Sequence, residues 1–125
     1  VTLVGLKTQT EIKSLLVNHD VFIHPSSSSL FNGSMEDTPT AILEAMACGL
    51  PIVSTDVGGN SDYFKNTKNI LVEKNSTVEK YSEAIHQIMN DDLSLDISNS
   101  SRKKALEYAW HIIARRINDF YYSCL

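Results

Sequence analysis

The chain has 125 residues, of which 42% are hydrophobic and 21% charged, as in a folded globular domain and unlike a disordered chain. Its net charge of -4 argues against a nucleic-acid-binding protein, because phosphate neutralisation requires clustered Lys and Arg. No apolar run approaches the length of a membrane span, and we read no signal peptide at its start. The first residues already read as a strand, so we expect a part of a larger protein.

Strand and helix signals alternate along the first half of the chain. Residues 2–4 (TLV) predict a short β-branched strand that ends at Gly5. Thr8 and Glu11 have the spacing of a capping box, and apolar residues at helical spacing follow them. Residues 20–25 (DVFIHP) predict a buried strand, and the polar stretch SSSSLFNGSM after it predicts a loop.

The helix that follows this loop has clear start and stop signals. Thr38 suits the N-cap, Pro39 suits the first helical position and Gly49 suits the C-terminal cap.

The second half of the chain continues the alternation. The predicted elements are a strand at 51–55, a turn at Gly58-Gly59-Asn60 with a short helix at 61–66, a strand at 69–73, a helix from a Ser76-to-Glu79 capping box through Met89, and two helices within 93–122 that meet near Ala109 and Trp110.

Short apolar strands separated by helices predict an α/β fold, with a Rossmann-like parallel sheet covered by helices on both faces. Ligands of such sheets bind at the carboxyl ends of the strands. That rule gathers the loops 5–8, 25–38 and 56–60 on one rim.

The cysteines and the basic clusters suggest no site. Cys48 and Cys124 form no metal or redox motif, and free thiols of a reduced cytoplasmic protein are favoured over a disulfide between them. We interpret Arg102-Lys103-Lys104 and Arg115-Arg116 as solvated helix faces, with a nucleic-acid or lipid patch as the alternative.

Two glutamates, Glu36 and Glu44, stand eight residues apart around the start of the well-marked helix. They could be an exposed loop residue and the solvent edge of an otherwise buried helix. Alternatively, the helix start from Asp37 to Ala41 offers free N–H groups to a phosphate. Glu44 would then lie on the Thr40 side of that phosphate and Glu36 on the other, where carboxylates could accept hydrogen bonds from sugar or ribose hydroxyls.

The stretch PSSSSLFNGSMEDTPTAILEAMACGLPIVSTDVGGN resembles the signature of retaining glycosyltransferases of family 4, the group 1 transferases, usually written around EGxPxxxLEAMAxGxPVV. The similarity extends over most of the chain, from Gly5 to the aromatic C-terminal segment. The matching positions are Glu36, Pro39, Leu43, Glu44, Ala45, Met46, Ala47, Gly49, Pro51 and Val53.

The resemblance implies a GT-B enzyme of two Rossmann-like domains, with residues 1–125 as the latter part of the C-terminal, nucleotide-sugar-binding domain. It makes Glu36 the expected catalytic residue, in contact with the donor sugar and phosphates together with Asp37, Thr38, Pro39, Thr40 and Ala41. It places Glu44 on the ribose hydroxyls, Leu6 and Lys7 near the nucleobase, and Gly58 and Gly59 at the rim.

The resemblance also implies the reaction and its partners. The donor is a UDP-, GDP- or ADP-linked sugar, the acceptor is a glycan or lipid-linked molecule of the cell envelope, and transfer proceeds with retention, without a cofactor or bound metal. The enzyme would be cytoplasmic, with peripheral membrane association left open. Because the acceptor domain and the diphosphate-binding Arg and Lys are absent, we expect the chain to be inactive alone.

Two departures and two alternatives accompany this interpretation. Asp37 stands where the family usually has Gly, so it could cap the helix instead of facing a diphosphate, and the loop before Glu36 is long. A non-catalytic nucleotide- or sugar-binding module with the same fold is the main alternative, and a sugar-nucleotide epimerase fits less well. The apolar C-terminal residues Trp110, Phe120, Tyr121 and Tyr122 would pack on the absent domain or promote self-association.

Overall fold

The computed structural model describes residues 1–26, 40–90 and 94–124. In chain order the elements are α1 (Gln9–Val17), β1 (Phe22–His24), α2 (Thr40–Cys48), β2 (Ile52–Thr55), α3 (Asn60–Phe64), β3 (Ile70–Val72), α4 (Val78–Asn90), α5 (Ser94–Leu106) and α6 (Trp110–Ser123).

The three strands form a parallel sheet in the order β1-β2-β3. His24 lies beside Ser54, and Thr55 lies beside Val72, so the carboxyl ends of the strands meet at one edge. The central strand β2 is buried along its whole length. Such burial on both faces explains why its sequence is an apolar run closed by two hydroxyl residues and shows no apolar–polar alternation.

The first face of the sheet carries the larger core. Ile52 and Met46 are completely buried there, where α2 meets β2. The helices α1, α3 and α5 also contribute to this layer, with Leu16 from α1, Tyr63 and Phe64 from α3, and Ala105 from α5. In the described part of the chain, α2 packs more extensively on α5 than on any other element.

The second face is covered by α4. Val53 and Val72 pack there against Ala84 and Ile88, which are buried at helical spacing. Helices therefore cover both faces of a parallel sheet, which confirms the predicted α/β class.

The helix boundaries agree closely with the sequence patterns. The capping box is formed, since the Thr8 N–H donates to Glu11 at 2.8 Å and the Thr8 hydroxyl accepts from the Glu11 N–H at 3.4 Å. The two C-terminal helices meet where they were predicted, with Ala109 as the N-cap of α6. The helix α4 starts at Val78, one residue later than a capping box at Ser76 would set it.

The predicted strand at residues 2–4 is wrong, because these residues belong to no strand in the structure. Leu3 is 94% exposed, whereas Thr2 and Val4 line a depression of about 260 Å³ beside α1 and β1. A β-branched sequence favours extended backbone, but a strand also requires a paired neighbour, and no described strand pairs with this segment.

Two further features bear on function. No helix in the described ranges is both long and apolar enough to cross a membrane. The helix α6 buries no residue, and its aromatic side chains are exposed, with Trp110 at 88% and Phe120 at 66%.

Candidate functional site

The helix α2 places Glu44 opposite the core. Ile42, Ala45 and Met46 are completely buried on one face of the helix, so a residue two positions after Ile42 lies on the other face. Glu44 is half-buried there, beside Ala47 and Cys48. The apolar run around this glutamate therefore belongs to a helix whose other side faces a surface groove.

This groove lies between α1 and α2 and has a volume of about 630 Å³. Ile12 and Leu16 are half-buried and form its apolar part, whereas the side chains at its α1 rim are exposed and polar. The lining residues are Gln9, Thr10, Ile12, Lys13, Leu16, Glu44, Ala47 and Cys48. A groove with an apolar floor and polar rim is the usual form of a small-molecule site.

Glu44 and Lys13 are the charged side chains of the groove. Neither makes a hydrogen bond or an ion pair with any residue in the described ranges. A half-buried carboxylate that lacks a protein partner has hydrogen-bonding capacity to offer a ligand.

The start of α1 is fixed by its capping box, and the charge of Lys7 there is paired with Glu11. The pKa of Glu11 is lowered from its usual 4.5 by hydrogen bonds from the Thr8 backbone, then from the Thr8 hydroxyl and from Lys7. The Lys7 ammonium lies 3.6 Å from the Glu11 carboxylate. Leu6 is fully exposed, and neither Leu6 nor Lys7 lines the groove.

The other predicted donor-binding residues are placed as follows. Thr40 is exposed and Ala41 is half-buried in the first turn of α2. Gly58, with φ of +56°, and Gly59 form the turn before α3, and neither is among the residues that line the groove. Glu36, Asp37, Thr38 and Pro39 lie outside the described residues, and their roles stay predictions.

A polar network joins the carboxyl ends of β1 and β2. The Ser54 hydroxyl donates to the His24 carbonyl at 3.0 Å, and the Asn60 amide donates to the Thr55 carbonyl at 2.9 Å. Asn60 is 1% exposed, and its Oδ1 has no hydrogen-bond partner among the described residues. The sequence marked Asn60 only as a turn residue, because its tertiary hydrogen bonds leave no local pattern.

Both cysteines are free thiols. The basic cluster of α5 is more than a solvated face, because Arg102 donates to the Cys48 carbonyl at 3.1 Å and the Lys104 side chain is only 11% exposed, beside Glu107 and the Tyr108 ring. The described residues contain no group of three or more His, Cys, Asp or Glu that could hold a metal ion.

The known proteins that this chain resembles are glycosyltransferases. Residues 1–109 match the family described as Glycosyl transferases group 1. The chain is 32% identical over 117 residues to the N,N'-diacetylbacillosaminyl-diphospho-undecaprenol alpha-1,3-N-acetylgalactosaminyltransferase of Campylobacter jejuni, covering 93% of this chain and 29% of that protein.

Two further relatives have names connected with extracellular polysaccharides. The putative colanic acid biosynthesis glycosyltransferase WcaL of Escherichia coli is 31% identical over 116 residues, which cover 90% of this chain and 28% of that protein. The amylovoran biosynthesis glycosyltransferase AmsK of Erwinia amylovora is 49% identical over 59 residues, 47% of this chain and 14% of that protein. The chain thus spans less than a third of the length of each of these relatives.

Proposed function

The chain belongs to the group 1 glycosyl transferases, and from that premise we propose that it is the nucleotide-sugar-binding part of a glycosyltransferase. Residues 1–125 would form the latter part of the C-terminal domain of a two-domain GT-B enzyme. The acceptor domain would come from the remainder of a longer protein, in keeping with the short share of each relative that the chain spans.

The observation that carries this proposal is the Glu44 carboxylate. It is half-buried, has no partner among the described residues, and opens on the groove between α1 and α2. An ionised carboxylate only accepts hydrogen bonds, and its two oxygens can each accept one from two neighbouring hydroxyls. It therefore suits the ribose 2'- and 3'-hydroxyls. We assign Glu44 to the ribose of the donor.

We base the remaining roles on the family resemblance. The N–H groups at the start of α2, which the structure describes from Thr40, would hold the donor phosphates. Glu36 would act beside the donor sugar, and Asp37 would cap the helix. Leu6 and Lys7 would lie near the base, with Gly58 and Gly59 at the rim.

The proposed reaction is sugar transfer with retention and without a metal. The bond from the sugar C1 to the phosphate oxygen breaks, the nucleoside diphosphate leaves with the electron pair, and the acceptor oxygen bonds to C1 as its proton passes to the departing phosphate. The acceptor would be a glycan or lipid-linked molecule, since the name of the Campylobacter jejuni relative contains diphospho-undecaprenol. Such an enzyme would work in the cytoplasm, at the membrane surface, and this chain alone would be inactive.

Calorimetric titration of the intact enzyme with UDP-, GDP- and ADP-sugars tests the assignment. A charge-assisted hydrogen bond contributes about 1.5–3 kcal/mol, so Glu44→Ala should weaken binding of the preferred donor roughly 10- to 150-fold. Glu83→Ala is the matched control, because Glu83 is an exposed helical carboxylate on α4 whose partner, Lys80, is also exposed. Unchanged donor affinity in Glu44→Ala would overturn the ribose assignment, and binding without transfer would favour the non-catalytic module.

A further inference from the structure

We propose that Arg102 is a positioning residue for the donor, which acts by holding the carboxyl end of α2 and thereby the Glu44 carboxylate. The inference rests on the proposed function, since it takes Glu44 as a donor contact. It concerns a residue of α5, a helix that does not line the groove between α1 and α2.

The carboxyl end of α2 is closed in two ways. Gly49 adopts φ of +80°, and its N–H donates to the Met46 carbonyl at 2.9 Å while the Leu50 N–H donates to the Ala45 carbonyl at 3.0 Å. This pair of bonds is the Schellman arrangement, which satisfies two of the last carbonyls of a helix. The Cys48 carbonyl takes its hydrogen bond from the Arg102 guanidinium at 3.1 Å.

The charge of Arg102 suits this position. The carboxyl end of a helix carries a partial negative charge, and the last turn of α2 has no basic residue of its own. Arg102 therefore supplies from α5 the cation that α2 lacks. Arg102 is exposed to solvent, so its charge stabilises the helix end less than a buried charge would. The length of the Arg102 side chain and the direction of its N–H groups therefore matter more than its charge.

The contact is also close enough to fix the two helices relative to each other. A Cβ atom on Gly49 would lie 2.5 Å from the Ser98 Oγ and 2.7 Å from the Arg102 Nε. The Arg102 side chain thus occupies the space that any larger residue at position 49 would need. In the described part of the chain α2 packs most extensively on α5, and Ser98 and Arg102 of α5 lie against this end of α2.

Cys48 and Glu44 are one turn apart, on the same face of α2, and both line the groove. The carboxyl-terminal part of α2, which includes Glu44, therefore forms one wall of the groove. Without Arg102 the Cys48 carbonyl would bond to water, and the Schellman pair alone would hold the last turn, so the Glu44 carboxylate would be positioned less firmly beside α1. Arg102 thus affects the affinity for the nucleotide sugar by positioning Glu44, and does not contact the nucleotide sugar itself.

Steady-state kinetics of the intact enzyme, well below its thermal midpoint, test this role. We expect Arg102→Ala to raise the donor KM roughly threefold to tenfold, part of the effect of one charge-assisted hydrogen bond, with kcat at saturating donor changed less than twofold. A purely structural loss would lower the active fraction, and with it kcat, at an unchanged KM. Lys103→Ala is the matched control, because Lys103 is the adjacent exposed cation of α5 and should leave both parameters unchanged.

A double-mutant cycle with Glu44→Ala makes the test specific. If Arg102 acts through Glu44, Arg102→Ala should raise the donor KM no further once Glu44 is Ala. Arg102→Lys, which keeps the charge but not the reach and the planar fork, should recover less than half of the lost affinity and provides a second variant if Arg102→Ala folds poorly. Additive effects of Arg102→Ala and Glu44→Ala would overturn the positioning role, whereas a normal donor KM in Glu44→Ala alone would overturn the proposed function.

Discussion

The Asn69 side-chain amide donates to the Ser101 hydroxyl at 2.9 Å, and its oxygen accepts the Ile52 N–H at the same distance. One side chain thus joins the start of β2 to α5. Ser101 and Ile52 are both completely buried, so neither group could turn to water if Asn69 were lost.

This relationship predicts a large effect of a small truncation. Asn69→Ala should lower the free energy of unfolding by about 1–3 kcal/mol, because it leaves a buried N–H and a buried hydroxyl unsatisfied. Urea unfolding followed by circular dichroism measures the loss. Asn99→Ala, an exposed change on α5, should shift the midpoint little, and equal losses in the two variants would contradict the role of Asn69.

A second prediction concerns Gly49. We expect Gly49→Ala to destabilise the chain by about 2–4 kcal/mol, of which about 1–2 kcal/mol comes from the left-handed backbone and the rest from displacement of the Ser98 and Arg102 side chains. Gly5→Ala isolates the backbone contribution, because Gly5 has φ of +63° but nothing within 4 Å of an added Cβ. A cost for Gly49→Ala no greater than that for Gly5→Ala would contradict a steric contribution from Ser98 and Arg102.

The capping box of α1 predicts a dependence on pH. The folded pKa of Glu11 is lowered by its bonds to Thr8, so the carboxylate stabilises the start of α1 at any pH above its unfolded pKa. That stabilisation is lost as the pH falls through the lowered folded value. An NMR titration should place the pKa of Glu11 below 4.5. Thr8→Ala, which removes the hydroxyl but keeps the backbone N–H, should return this pKa part of the way towards 4.5, and Thr10→Ala should not.

The exposed stripe of α6 predicts association of the isolated chain. Trp110, Ile117, Phe120 and Tyr121 recur at helical spacing and are each more than half exposed. We expect sedimentation velocity to show association that rises with concentration and is abolished by Trp110→Ser combined with Phe120→Ser. Leu95→Ser, at an equally exposed apolar residue of α5, should leave it unchanged, and a monomer at all concentrations would contradict the prediction.

Local signals in the sequence were sufficient for most of the fold. The capping box at Thr8, the cap at Gly49 and the boundary at Ala109 depend on neighbouring residues, so their patterns specify them directly. The strand predicted at residues 2–4 was wrong because a strand depends on a partner elsewhere in the chain, which no local pattern specifies.

The residues of the candidate site also divide into those that local sequence predicts and those that depend on tertiary packing. The position of Glu44 follows from helical periodicity, and its assignment to a donor follows from the resemblance around residues 36–53. The contribution of Gln9 and Lys13 depends on how α1 packs beside α2, and that of Arg102 depends on how α5 meets the end of α2. Neither arrangement leaves a periodic or spaced pattern in the sequence.

The most direct test of the central claim removes the same interaction from the ligand and from the protein. The affinities of the intact enzyme and of Glu44→Ala are measured for the preferred nucleoside diphosphate and for its 2',3'-dideoxy analogue. Wild type should bind the analogue more weakly by at least roughly 10- to 150-fold, since that is the effect of a single charge-assisted hydrogen bond and the analogue lacks both hydroxyls, whereas Glu44→Ala should bind both ligands equally. Undiminished discrimination by Glu44→Ala would show that the ribose hydroxyls meet another group, and would contradict the proposed donor site.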